Sequence, residues 1–164
     1  MVNVKLAAEV YRIGFSIGVF TIQEVIKWAD RVIENLDSPP YEIIDLSLSS
    51  KLHTEKFMWK LESVQGKVEQ DLAPKVLLGL LRDTLDRRQD LKDVINKMDK
   101  LIQYIPENCG RIEMEIHYLS DAFYLAENGG YRDLQEVRSE LEDFLDEFVE
   151  FSEDFVKAKN YDIS

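Results

Sequence analysis

Two histidines, one cysteine and a dense row of carboxylates are the side chains of this sequence whose types could do chemistry. Glu113, His117 and Asp121 stand at i, i+4 and i+8, so they share one helix face and could offer three metal ligands. Successive members lie ~6 Å apart up a helix, and one ion cannot reach the outer pair. The row reads instead as surface charge pairing, Glu113 with His117 and His117 with Asp121. The Glu-x-x-His spacing of di-iron bundle sites is absent, because Met114 stands three residues before His117. His53, immediately before Thr54, reads as part of a helix start. Cys109, in Asn108-Cys109-Gly110, is a loop thiol with no neighbouring His, and a nucleophile needs a base within hydrogen-bond reach. Gly129-Gly130 is a turn and not a phosphate cradle, since no Lys-Ser/Thr follows it. The carboxylates are too alike to divide into an acid and a base. The expectation is a non-enzymatic protein with no metal and no cofactor.

The carboxylates point elsewhere. From Tyr131 to Phe155 the apolar residues Leu134, Val137, Leu141, Phe144, Phe148, Phe151 and Phe155 recur in steps of three and four. That spacing predicts one long helix with an inward stripe, widened by Leu145 and Val149. Its other faces carry Asp133, Glu136, Glu140, Glu142, Asp143, Asp146, Glu147, Glu150, Glu153 and Asp154, with only Arg138 against them. Such a face projects a negative potential that speeds capture of a basic partner. Glu136, Glu140, Asp143, Glu147, Glu150 and Asp154 are therefore the candidate partner-binding residues, together with Trp59.

The elements around this helix follow in chain order. Leu6, Val10, Ile13 and Ile17 predict a first helix from Val4 to Phe15, with Gly18 as its C-cap. Thr21-Ile22-Gln23-Glu24 reads as a capping box opening a second helix, with Phe20 stapled on Val25. Asp37-Ser38-Pro39-Pro40 ends it. A short helix is expected over Tyr41 to Leu48, and another from Thr54 to Gln65 on Phe57, Met58, Leu61 and Val64. Trp59 lies off that stripe, in a second contact or on a partner surface, the second contact being preferred. Leu72 to Arg87 reads as a central buried helix, with Pro74 tolerated in its first turn. Asp90 caps a helix through Ile105, Pro106 to Gly110 is a loop, and Arg111 to Asn128 is a helix with Ile112, Ile116, Leu119, Phe123 and Ala126 inward. After Lys159 the tail frays. The prediction is all-α: one domain over residues 1–164, an antiparallel bundle of seven to eight helices.

The excess of 32 acidic over 20 basic residues, a net charge of −12, argues against nucleic acid or an anionic membrane as partner. The longest uncharged run, Ile13 to Gln23, has 11 residues, against the ~20 that span a bilayer. Glu9 interrupts the N-terminal apolar stretch and no small-residue cleavage site follows, so no signal peptide is expected. A lone cysteine fits a reducing compartment. These features predict a cytoplasmic protein.

Arg12-Ile13-Gly14, the stretch Thr21 to Ile33 with its Trp28-Ala29-Asp30 triplet, Pro39-Pro40 and Leu46-Ser47-Leu48-Ser49 together resemble an uncharacterised family of all-helical bacterial proteins. That family carries a Thr-x-x-Glu cap, a Trp-Ala-Asp triplet and a Pro-Leu-Ser region. The resemblance covers Tyr11 to Ser50 and brings no catalytic residues. It implies a cytosolic bacterial protein, and some such small acidic proteins are immunity proteins that neutralise a secreted toxin. Trp28 and Asp30 are expected to be structural, Trp28 packed under a neighbouring helix and Asp30 hydrogen-bonded. The competing expectations are a small-ligand-binding or enzymatic protein with a pocket between helices, and a structural subunit oligomerising through exposed aromatics such as Trp59.

Overall fold

The structure, a computed structural model, describes residues 3–49, 54–88, 90–130 and 132–160. The fold is all-α. The described residues form α1 (Val4–Ile17), α2 (Ile22–Asn35), α3 (Tyr41–Ser47), α4 (Thr54–Glu62), α5 (Leu72–Arg88), α6 (Leu91–Leu101), α7 (Gly110–Glu127), α8 (Leu134–Asp146) and α9 (Val149–Asn160). No strand occurs among them.

The chain divides into two compact units, Met1–Glu69 with Asp154–Ser164, and Gln70–Glu153. In the first, α1 packs on α2, α2 on α3, α3 on α4, and α4 returns to α1. In the second, α5, α6, α7 and α8 follow the same order and α8 returns to α5. Each unit is a closed ring of four helices in chain order, the arrangement short connections favour because they leave consecutive helices side by side.

In the first unit the caps set the helix ends. Asn3 accepts from the Lys5 amide at 2.8 Å, and Gly18, at φ 90°, closes α1 with the Val19 amide on the Gly14 carbonyl at 2.7 Å. Thr21 and Glu24 make both bonds of the capping box, at 3.2 and 2.8 Å. The core is aromatic. Tyr11 stacks on Trp28 with ring centres 4.9 Å apart, and Phe20 and Phe155 lie 4.7 and 5.3 Å from the same ring. Trp28 is buried, and Asp30 accepts from the Ser47 hydroxyl of α3. The Lys60–Asp45 ion pair ties α4 to α3. Trp59 makes no second contact of the preferred kind: it is 67% exposed. It stands about 200° round the helix from Phe57, and Phe57 and Leu61 already fill the face turned to the core.

The second unit is built on α5, whose Val76, Leu77, Leu78, Leu81 and Leu85 are all buried. Three expected boundaries are corrected here. The sixth helix stops being α-helical at Leu101 and tightens into a 3-10 turn, Ile102–Tyr104. Ile105 is extended, as a residue before proline must be. The expected loop over Pro106 to Gly110 contains a second 3-10 turn, Glu107–Cys109, that runs directly into α7. The long acidic helix is two helices, parted at Glu147 and Phe148. There the amides reach back only three residues, Glu147 to Phe144 at 3.3 Å and Phe148 to Leu145 at 3.0 Å. Gly79 of α5 packs against the break: a Cβ there would lie 2.5 Å from the Phe148 carbonyl oxygen. Only glycine admits that carbonyl. Around the break the inward stripe is buried at Val137, Leu141, Phe144, Leu145, Phe148 and Phe155, while Val149 and Phe151 are half-buried and Leu134, expected inward, is exposed.

Candidate functional site

Along α8 the residues Glu136, Glu140 and Asp143 fall at i, i+4 and i+7, on one face. Glu147 follows in the turn that ends the helix. Opposite them α7 presents Arg111, Glu115 and Tyr118. Between the two helices lies a cleft of ≈ 350 Å³, lined by Arg111, Glu115, Tyr118, Leu119, Glu140, Asp143, Phe144 and Glu147. Leu119 and Phe144 are buried and form its apolar base. Tyr118, 48% exposed, supplies an aromatic wall. Four carboxylates stand against one arginine in the lining.

Ion pairs occupy part of this charge. Arg111 reaches Glu147 at 3.2 Å, both side chains largely exposed, a pair of the kind that contributes about 0–1 kcal/mol. Arg132, just ahead of α8, directs Nη2 to both Glu140 carboxylate oxygens at 2.6 Å. Its guanidinium also lies over the Tyr118 ring, 5.7 Å from the centroid. Glu140 first, and Tyr118 second, push the Arg132 pKa up. Arg132 Nε is buried with no hydrogen-bond partner. Among the described residues Glu136, Asp143 and Glu150 have no cationic partner.

The structure thus brings Glu140, Asp143 and Glu147 together in one cleft, with Glu136 further along the same face. Glu150 is exposed on α9. Asp154 and Trp59 are exposed residues of the first unit. Sequence reasoning missed Tyr118, Arg111 and Arg132. A signal for Tyr118 existed: Met114, Tyr118 and Leu125 share a face of α7 and are all exposed, so they form an apolar stripe separate from the inward one.

The remaining chemistry-bearing residues do not converge. His117 Nε2 lies 3.7 Å from Glu113 on the exposed face of α7. Cys109 Sγ lies 3.7 Å from Asn108 Oδ1. His53 lies outside the described residues. Among the described residues no three His, Cys, Asp or Glu side chains are grouped to hold a metal ion, and no helix is long and apolar enough to cross a membrane. Between α6 and α7 the buried Ser120 hydroxyl donates to Asp99 at 3.0 Å.

Fold and cleft define an all-α chain with an anionic inter-helix groove in its second unit. No family model, curated protein or solved structure matches it.

Proposed function

We propose that this is a non-enzymatic binding protein for a basic protein partner, engaged by the α7–α8 face. The observation that carries this reading is the uneven charge. Gln70–Glu153 holds 20 acidic and 10 basic residues, while the rest of the chain holds 12 and 10. A one-sided field of that kind steers a cationic partner to the anionic unit. The cleft lining sets four carboxylates against one arginine, a charge balance that complements a cation. Within this class the protein is a cytoplasmic immunity protein that neutralises a cationic toxin. The acidic face and the resemblance of Tyr11 to Ser50 support that finer reading.

A second reading, a pocket for a small cationic ligand, draws on the ≈ 350 Å³ cleft. Small-ligand pockets are mostly apolar, and these walls are mostly charged, so the protein partner is preferred. A third, self-association through Trp59, draws on that side chain's exposure, and sedimentation at two concentrations tests it. The main reading is tested by calorimetric titration with a lysine-rich peptide at low and high salt. Between 0.1 and 1 M salt the screening length falls from about 10 Å to about 3 Å. Affinity should drop steeply across that range, and an affinity equal at both ends would overturn the proposal.

A further inference from the structure

We infer that the α7–α8 cleft is an arginine-binding subsite, and that a partner's arginine displaces Arg132 from Glu140 and Tyr118 at its edge. The inference rests on the partner-binding reading above and names the side chain recognised. The geometry already displays the recognition. Arg132 lies on the Tyr118 ring and pairs with both oxygens of Glu140, and both of those residues line the cavity. A planar guanidinium stacks on an aromatic face and offers a fork to a carboxylate, whereas an ammonium is a point charge and does neither as well.

The internal fit is poor. One nitrogen, Nη2, serves both carboxylate oxygens, and Nε is buried without a partner. The parallel two-nitrogen pairing that gives arginine–carboxylate contacts their strength is not made. An incoming guanidinium is not tethered to the chain just ahead of α8 and can take the parallel geometry on Glu140. Asp143, without a cationic partner among the described residues, and Glu115 lie in the same lining, with Arg111 held on Glu147 beside them. The cleft's remaining volume then takes the aliphatic stem, against Leu119 and Phe144. Because Arg132 must first release Glu140 and Tyr118, it lowers the apparent affinity for the incoming group according to the fraction of molecules in which it holds them.

The test uses the full chain and two peptides, one alternating Arg with Ala and one with Lys at every Arg position. Titrations compare the unaltered protein with Arg132→Ala, Tyr118→Ala and Arg87→Ala. The last removes the same charge from an exposed residue of α5. Arg132→Ala should tighten the arginine peptide by about fivefold or more, and the lysine peptide less. Arg87→Ala should not reproduce the gain, and Tyr118→Ala should erase the preference for arginine. Circular dichroism checks each fold, and Arg132→Lys, which keeps the charge but not the fork, replaces an unfolded Arg132→Ala and should also tighten the arginine peptide. Equal effects of Arg132→Ala and Arg87→Ala overturn the subsite while leaving the wider reading intact, provided both peptides still bind in a salt-dependent way. Failure of both peptides to bind overturns the two together.

Discussion

Gly79 is the residue on which the second unit closes. Its missing side chain lets the Phe148 carbonyl and Ser152 approach α5: a Cβ would meet Ser152 Oγ at 2.6 Å and Ser152 Cβ at 2.9 Å, besides the carbonyl. Backbone cannot swing aside as a flexible side-chain tip can, so Gly79→Ala forces α5 away from the α8–α9 joint. We expect a loss of about 1–3 kcal/mol, the usual cost of overpacking, read from denaturant unfolding. Asp99 gives a prediction of opposite sign. Burial raises its pKa above the ordinary value of 3.8, more than the Ser120 hydrogen bond lowers it, while His117 and Asp121 act in opposite directions and less strongly. The folded chain therefore holds this proton more tightly than the unfolded one. Stability falls as pH rises from near 3.8 through the folded-state value. Asp99→Asn still accepts from Ser120 and no longer ionises. It should melt higher than the parent at pH 7, with the gap closing toward pH 3; an equal gap at both would refute the desolvation argument.

Among the elements, local chemistry was legible and tertiary geometry was not. The capping box of Thr21 and Glu24, the left-handed Gly18 and the proline stop after α2 are decided by neighbours in sequence, and each stands where its residues require. The break at Glu147 and Phe148 has no Gly or Pro to announce it, and the glycine it packs against sits nearly 70 positions away in α5. Apolar periodicity runs straight through such a joint, since the inward stripe is kept on both sides. The cleft was half legible for the same reason. Glu140, Asp143 and Glu147 follow from spacing along α8, but Tyr118 and Arg111 enter only when α7 is laid beside it. The cap offers a check at this scale. Thr21→Ala removes the acceptor for the Glu24 amide and the hydroxyl that donates to the Glu24 carboxylate, while the Thr21 backbone amide still donates to it. It should cost about 1 kcal/mol, and Thr21→Ser should restore most of it in the same denaturation assay.

Across the whole molecule, two rings with the same order of helix packing differ sharply in charge. The core-forming pattern is shared, so the difference lies in the solvated faces, where fold makes few demands. Acidic residues are concentrated in Gln70–Glu153, in a twofold excess over basic ones. A surface needed only for solubility gains nothing from such segregation, whereas a surface that captures a cation does. Two triple variants with equal charge change separate these possibilities. One neutralises Glu136, Asp143 and Glu150 as Gln, Asn and Gln. The other does the same to Glu34, Asp37 and Glu69, which are exposed in the first unit. Exposed pairs contribute about 0.2–1 kcal/mol each, so losing three from the binding face should weaken a lysine-rich peptide roughly tenfold, or about 1.4 kcal/mol. The control triple, acting only through net charge and screened beyond about 10 Å, should change affinity by less than about twofold. The control triple should leave unfolding within about 0.5 kcal/mol of the parent, whereas Glu136 and Glu150 stand in the first turns of α8 and α9, so the binding-face triple should also lose about 0.3–1 kcal/mol at each of these two positions. Equal weakening by the two triples would mean that total charge, and not its placement on α8 and α9, governs the attraction.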